Sequence, residues 1–347
     1  MRSETPARHR VVMVDVARHA GVSQKTVSRV VNGAPYVRPE VRQRVLGVIE
    51  ALGYRPNGAA RALATQRTYV IGVLALGVPL FGPAHRIFSL EHAARQRGYE
   101  LAVASLGESS PGEFRAALSR LLARGIEGLV LELPNDLVDL EVLAFSDLPV
   151  VTGVEGLHGV ERQTVVSADQ VRAGALATQH LLELGHRTVW HIAGPLDWAA
   201  ARQRAEGWGA ALRAANRPEP PVLQGDWSAQ SGYRLGLELA ARGDVTAVFS
   251  ANDHQAMGVM RAFAEQGWSI PADVSVVGFD DVPEAEYQMV PLTTVRVDHT
   301  TASHRTLTEL VALIGGAEPA AERVDIPCEL LVRKSTGPAR RERTPTS

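Results

Sequence analysis

Two groups of side chains in this sequence have the types and spacing to do chemistry, and in both the chemistry is binding. The first is packed into ten residues, 23–32, where Ser23, Gln24, Lys25, Thr26, Ser28, Arg29 and Asn32 stand close together. Gln can pair with adenine in a bidentate manner, and Lys and Arg favour the acceptors of guanine. Ser, Thr and Asn suit phosphate oxygens or a helix cap, which orients a protein on a duplex without reading sequence. The second group is dispersed: Arg204, Trp227, Asn252 and Asp280. A carboxylate and an amide can accept from neighbouring hydroxyls, and Arg donates two bonds in a fixed fork. Trp offers a flat apolar face to C–H groups. That set suits a polyhydroxylated ligand. Asp280 and Asp281 together raise acid–base catalysis, but no nucleophile or second placed base accompanies them.

The first group needs a short helix presented to DNA, and the flanking residues supply one. Met13, Val16, Ala17 and Ala20 repeat with helical spacing, and Asp15 lies in the first turn. Gly21 ends that helix and Ser23 caps the next. The second helix, 24–31, buries Val27, Val30 and Val31 and leaves Gln24, Lys25, Ser28 and Arg29 outside. Two short helices around a Gly-containing turn predict a helix-turn-helix, whose second helix enters the major groove. The bland alternative is a helical hairpin with a solvated polar face. A third helix is expected over 41–52, with Val41, Val45, Val48 and Ile49 on one side and Arg55 and Pro56 as its stop. Segment 57–64, NGAARALA, has Asn57 as a possible cap but is too short to be helical alone in water.

The second group needs strand ends. From residue 69, YVIGVLAL, ELAVAS, EGLVLEL and PVVTG alternate with helical patterns at 84–98, 112–124 and 136–145. A second series starts near Asp169, with helix 170–184, strand TVWHIAG, helices 198–214 and 230–242, strand AVFSA, helix 254–266 and strand SVVGFDD. The late elements are strand LTTVRVD, helix 300–314 and strands near 324–326 and 329–332. Strands alternating with helices imply βαβ units and parallel sheets. The fold class is therefore α/β, with a helix-turn-helix head and a body of two doubly wound halves. Ligands sit beyond the carboxyl ends of such strands. Asn252 and Asp253 follow AVFSA, and Asp280 and Asp281 follow SVVGF. Asp253 and Asp281 are expected to cap the following helices, and Trp208 to lie in the core.

The stretch DVARHAGVSQKTVSRVVNG, continuing into LGYRPNGAARALAT, resembles the headpiece of the LacI/GalR family of bacterial transcriptional repressors. In the body, GHRTVWHIAGP, ARQRAEGW, GDWSAQSGY, ANDHQAMG, IPADVSVVGFDD and PLTTVRVD resemble the lac-repressor branch along nearly the whole length. The resemblance implies a periplasmic-binding-protein-like body. It also implies a hinge that turns helical on DNA, where Leu63 wedges between base pairs and Ala60 faces the partner's hinge. It places Arg204, Trp227, Asn252 and Asp280 at effector positions. Val12 departs from the family's Thr, losing a cap and a phosphate contact. Relative to the lac branch, Glu132 replaces an Asn, Gly153 an Asp, Ala200 a Ser and His299 an aromatic residue. On that wall Leu76, Phe81 and His85 are the nearest candidates to line a pocket. The implied organisation is a headpiece at 1–56, a hinge at 57–68, one subdomain from 69–167 with 297–326, a second from 168–296 with 327–337, and a disordered tail at 338–347.

Composition narrows the function. The 347 residues are 45% hydrophobic and 21% charged, so the chain is globular and long enough for two or three domains. Residues 1–68 hold 12 basic and 4 acidic side chains, net +8, which leaves 24 basic and 34 acidic, net −10, in the rest. A basic head on an acidic body suits phosphate binding by the head alone. One cysteine, Cys328, excludes a disulfide framework and a cysteine-rich metal site, and reads as a small buried hydrophobe. No apolar run spans a membrane and no signal peptide is visible, so the expected location is cytoplasmic. No GxGxxG, P-loop or nucleophile elbow stands at a strand–helix turn, so neither enzyme activity nor a cofactor or metal is expected. The tail has no leucine heptads, which favours a homodimer over a tetramer. The expectation is a dimeric repressor released from operator DNA by a sugar or glycoside. The alternatives are a co-repressor mode, in which ligand strengthens DNA binding, and a stand-alone sugar-binding protein.

Overall fold

The computed structural model describes residues 11–31, 35–55, 66–107, 111–133, 140–144, 147–153, 162–319 and 323–340. Asn32, Asn57, Ala60 and Leu63 lie outside the described residues, as do most of the expected hinge and tail. The chain divides into two compact units, residues 1–68 and 69–347.

The first unit contains α1 (Met13–Ala20), α2 (Gln24–Val31) and α3 (Pro39–Leu52). Their apolar faces meet in a core of Val16, Ala17, Ala20, Val27, Val30, Val45 and Tyr54. Val31, expected inside, is only half-buried. Gly21 closes α1 with φ of 64°, and the next N–H, from Val22, reaches back to the Ala17 carbonyl at 3.0 Å. Val12 offers no side-chain cap to α1, but Asp15 partly compensates by accepting the Val12 N–H at 3.1 Å. Arg44 Nε on α3 donates to the Ala20 carbonyl at 3.0 Å, satisfying one of the open acceptors at the end of α1. The last helix ends at Leu52 as expected, but its start and the residue that stops it differ from expectation. The helix α3 begins at Pro39, where proline's fixed φ suits the first turn. Gly53, with φ of 63°, stops it before Arg55 and Pro56 are reached.

The second unit holds two six-stranded sheets. Along the chain it runs β1 (Val70–Leu76), α4 (Phe81–Gln96), β2 (Glu100–Leu106), α5 (Pro111–Leu122), β3 (Gly128–Glu132), α6 (Leu140–Ala144), β4 (Val150–Thr152) and β5 (Gln163–Ala168). Then come α7 (Gln170–Glu183), β6 (Trp190–Ala193), α8 (Ala199–Ala214), β7 (Leu223–Gln224), α9 (Ala229–Arg242), β8 (Ala247–Ser250), α10 (Asp253–Glu265) and β9 (Ser275–Phe279). The chain ends with β10 (Thr293–Val297), α11 (His299–Ile314), β11 (Arg323–Ile326) and β12 (Cys328–Leu331). The first sheet has the order β11-β5-β4-β3-β1-β2 and is all parallel. The second has the order β12-β10-β9-β8-β6-β7, with only β12 antiparallel. Two of these strands, β5 and β7, were not anticipated. The first lies in an apolar run beside the helix at 170, and the second is too short to show any periodicity.

The connections between sheets decide where a ligand can go. The chain leaves the first sheet after β5, returns after β10 and leaves again between β11 and β12. The helix α11 accordingly packs Ala302, Leu307, Leu310 and Leu313 against Ile71, Val73, Val130 and Val151 of the first sheet. The crossings are tied together, since Asp169 N–H donates to the Ile326 carbonyl at 3.1 Å and Asp298 caps α11 through Thr301 N–H at 2.9 Å. Each sheet is thereby covered on both faces, and both point their carboxyl ends toward one cleft. Among the described residues no helix is long and apolar enough to cross a membrane.

Candidate ligand pocket and nucleic-acid interface

In the first unit the polar residues around α2 sort by the face they occupy. Ser23 Oγ accepts the Thr26 N–H at 3.2 Å and shares a hydrogen bond with Thr26 Oγ1 at 3.0 Å, so this pair caps α2. Gln24, Lys25 and Arg29 are exposed on the side away from Val27 and Val30. Thr26 and Ser28 are half-buried and therefore sit nearer the helix flank than expected for Ser28. The cap frees the first turn to present Gln24 and Lys25 together. That is the arrangement a major-groove reading helix requires.

In the second unit a cavity of about 180 Å³ opens between the carboxyl ends of the two sheets. Arg204, Trp227, Asn252 and Asp280 all line it. They come from α8 and from the turns after β7, β8 and β9, so four separate elements converge on one wall. Arg204 is held flat and buried. Its Nε donates to Gln170 Oε1 at 2.7 Å, a second nitrogen donates to the Ala251 carbonyl, and its guanidinium lies 3.5 Å from the centre of the Phe279 ring. Trp227 meets Trp198 edge to face at 5.8 Å, and its indole N–H is buried without a partner. Asp280 has a φ of 101°, a conformation that Asp tolerates better than most residues. Burial pushes its pKa up to about 6, outweighing the nearby Arg204 charge. Its carboxylate accepts no hydrogen bond from the described residues.

The neighbouring polar residues exchange the roles expected of them. Asn252 is the cap of α10, its Oδ1 accepting Gln255 N–H at 2.8 Å while its Nδ2 donates to the Trp227 carbonyl at 3.0 Å. It thus shapes the turn that carries Trp227 as well as facing the cavity. Asp253 is not a cap. Fully buried, it accepts Val282 N–H at 2.8 Å and the Thr294 hydroxyl at 2.6 Å, bracing the turn that holds Asp280. Asp281 caps nothing either, because it bridges Arg296 at 2.8 Å and Arg333 at 2.6 Å. Trp208 is core, with its N–H on the Val189 carbonyl at 2.9 Å.

The wall from the first sheet is the part that sequence reasoning largely missed. Phe81 lines the cavity, whereas Leu76 and His85 do not; His85 stacks behind Phe81 at 5.2 Å. The four departures, Glu132, Gly153, Ala200 and His299, all face the space. Arg86, Gln170 and Trp198 face it too and were not anticipated. Arg86 is a lone Arg inside a helical pattern, which carries no signal. Trp198 follows β6 in the position where ligand contacts gather, and that signal was available. Arg86 Nε pairs with Glu132 Oε1 at 2.9 Å. Burial, reinforced by the charge of Arg86, depresses the His299 pKa to about 3, so the ring is neutral at physiological pH, and its Nε2 is buried without a partner. Unpaired acceptors, an unpaired indole donor and aromatic walls equip the cavity to hold a small polar molecule. Among the described residues no cluster of His, Cys, Asp or Glu could hold a metal ion.

Comparison with known proteins places both units. Residues 12–57 match the model for bacterial regulatory proteins of the lacI family, and residues 178–336 match the periplasmic binding protein-like domain. The chain is 34% identical to the lactose operon repressor of Escherichia coli K12 over 335 residues, covering 94% of this chain and 91% of that one. The structure of the lac repressor dimer bound to operator and the anti-inducer ONPF superposes with a TM-score of 0.84 at 31% identity, over 95% of this chain and all of that one. A complex of the regulator CelR with cellobiose superposes with a TM-score of 0.71 at 32% identity, over 94% of this chain and all of that one.

Proposed function

The chain belongs to the lacI family of bacterial regulatory proteins, and from that premise we propose a dimeric repressor that a sugar or glycoside releases from its operator. Gln24, Lys25 and Arg29 read base edges, with Ser23, Thr26, Ser28 and Asn32 on the backbone. Asn57, Ala60 and Leu63 form a hinge in the minor groove, where an apolar wedge opens a base step. Arg204, Trp227, Asn252 and Asp280 hold the effector.

One observation carries the effector reading. Asp280 and Trp227 from strand ends and Arg204 from α8 converge on one cavity, where the Trp227 N–H is buried without a partner and the Asp280 carboxylate accepts no hydrogen bond from the described residues. Hydroxyls of a sugar would satisfy them, and aromatic faces would cover its C–H surface. The solved relatives support the class, one being a dimer on operator DNA and another a complex with cellobiose. Three chain crossings join the halves, so a ligand between them can favour one relative rotation of the sheets. A ligand shifts the balance only as far as it binds the DNA-incompetent state more tightly.

The test is fluorescence anisotropy on a palindromic duplex selected in vitro, titrated with mono- and disaccharides at fixed salt, since phosphate contacts make affinity steeply salt-dependent. Release by one sugar supports induction. Tightening assigns the co-repressor mode. Failure to select any specific DNA overturns the reading of the head.

A further inference from the structure

Two positions at the mouth of the first sheet behave as one unit. Glu132 ends β3 and Gly153 follows the adjacent strand β4, with Leu131 opposite Thr152 and Gly153 N–H on the Leu131 carbonyl at 3.0 Å. A Cβ built on Gly153 would lie 2.4 Å from Glu132 Oε2 and 3.0 Å from Oε1. The carboxylate therefore occupies room that only glycine leaves. Arg86 fixes it there, donating from Nε to Oε1 at 2.9 Å while its Nη2 donates to Thr306 Oγ1 at 2.7 Å. Elements β3, β4, α4 and α11 thus hold one side chain in place. Glu132 faces the cavity, and its Oε2 accepts no hydrogen bond from the described residues.

The charges around the cavity also say what kind of molecule fits. Asp280 presents a second unpartnered carboxylate on the opposite wall. Each carboxylate has an arginine nearby, and those arginines are already engaged, Arg86 with Glu132 and Thr306, Arg204 with Gln170 and Ala251. A phosphate or carboxylate would meet two carboxylates that no hydrogen-bond donor screens on the cavity side, while each arginine already spends two of its five donors on protein acceptors. An amine would meet both guanidinium groups. A hydroxyl meets neither penalty and can donate to a carboxylate oxygen at either end.

We propose that Glu132, seated over Gly153, sets effector specificity at the first-sheet end of the cavity, and that the effector is an uncharged polyol donating hydroxyls to Glu132 at one end and Asp280 at the other. This rests on the sugar-responsive reading above and deepens it.

Calorimetry on the full chain tests it with five probes: D-glucose, D-galactose, cellobiose, lactose and glucose 6-phosphate. The wild type is expected to bind at least one neutral sugar and to reject glucose 6-phosphate. Glu132→Gln keeps the length but puts an amide donor where an acceptor is needed, and should weaken the best ligand by about ten- to a hundredfold and change the rank order. Gly153→Ala, which evicts the carboxylate, should do the same, with circular dichroism reporting the fold; should it fail to fold, Glu132→Gln decides alone. If Glu132→Gln keeps both affinity and rank order, the specificity assignment is overturned while sugar response stands. Tighter binding of glucose 6-phosphate than of glucose overturns the uncharged class. A wild type that binds none of the neutral sugars sinks the sugar reading and this one with it.

Discussion

Replacing Asp280 by Asn separates what the cleft costs the fold from what it does for binding. The carboxylate is sunk in the cleft wall, with only its backbone N–H tied, to the Val295 carbonyl at 2.9 Å. Burial raises its pKa from 3.8 to about 6. A carboxyl with a raised pKa binds its proton more tightly in the folded state than in the unfolded one. Its contribution is then fully present below about pH 3.8 and is lost as pH rises through about 6. At about 1.4 kcal/mol per pKa unit, the gap of roughly two units corresponds to about 3 kcal/mol missing above pH 7. Asn keeps the shape, tolerates the positive φ of 101° and carries no charge. Asp280→Asn should therefore stabilise the body at pH 8, by roughly 5–10 °C in melting temperature, and change little at pH 4. Scanning calorimetry of both proteins at the two pH values measures this directly. A shift of the same size at both, or destabilisation at pH 8, refutes the account of Asp280. In the same variant the effector response should disappear, because the amide no longer offers a charged acceptor. Such a gain in stability with loss of function is expected where a site keeps an unpaired charge for its ligand.

Four other outcomes follow from the same geometry. Arg204→Ala removes the donors to Gln170 and Ala251, should cost about 1–3 kcal/mol in denaturation, and should leave operator binding intact while abolishing release by effector; lost operator binding with an intact response would contradict the assignment. Val12→Thr restores a cap oxygen to α1, where Val12 already has the extended geometry of a cap, and should raise head stability by about 0.5–1 kcal/mol and tighten operator binding. Gly207→Ala forces a Cβ to within 1.9 Å of the Val171 carbonyl oxygen, so α7 and α8 must part, and urea denaturation should register a loss of about 3 kcal/mol. Leu63→Ala should weaken binding to the selected operator far more than binding to random DNA; equal losses in a competition assay would mean Leu63 is no wedge.

The head was legible in the sequence because its signals are local. Helical spacing of Val16, Ala17, Ala20, Val27 and Val30, a glycine at the turn and a serine cap all lie within neighbouring residues. The end of α3 at Leu52 was read correctly but credited to Arg55 and Pro56, because Gly53 and Pro56 both end helices and only the backbone shows which acts first. In the body, strand ends pointed to Asp280 and Asn252, since a polar residue after an apolar run is visible in one dimension. Which of Asn252 and Asp253 caps the helix was not visible, because that depends on how the turn folds toward Val282 and Thr294. The first-sheet wall was least legible. Arg86, Glu132, Gly153 and Thr306 are far apart in sequence, and only the strand register and the packing of α11 bring them together.

The central claim is that a ligand in the cleft and operator DNA at the head favour different states of one chain. Linkage makes this a single measurement: the affinity of the releasing sugar for the full-length protein, determined calorimetrically with and without saturating operator at fixed salt. Coupling between binding sites is reciprocal, so operator should weaken sugar binding by the same factor by which sugar weakens operator binding. Equal factors well above one are the predicted result. A sugar affinity that operator leaves unchanged, in a protein that binds both, would contradict the account.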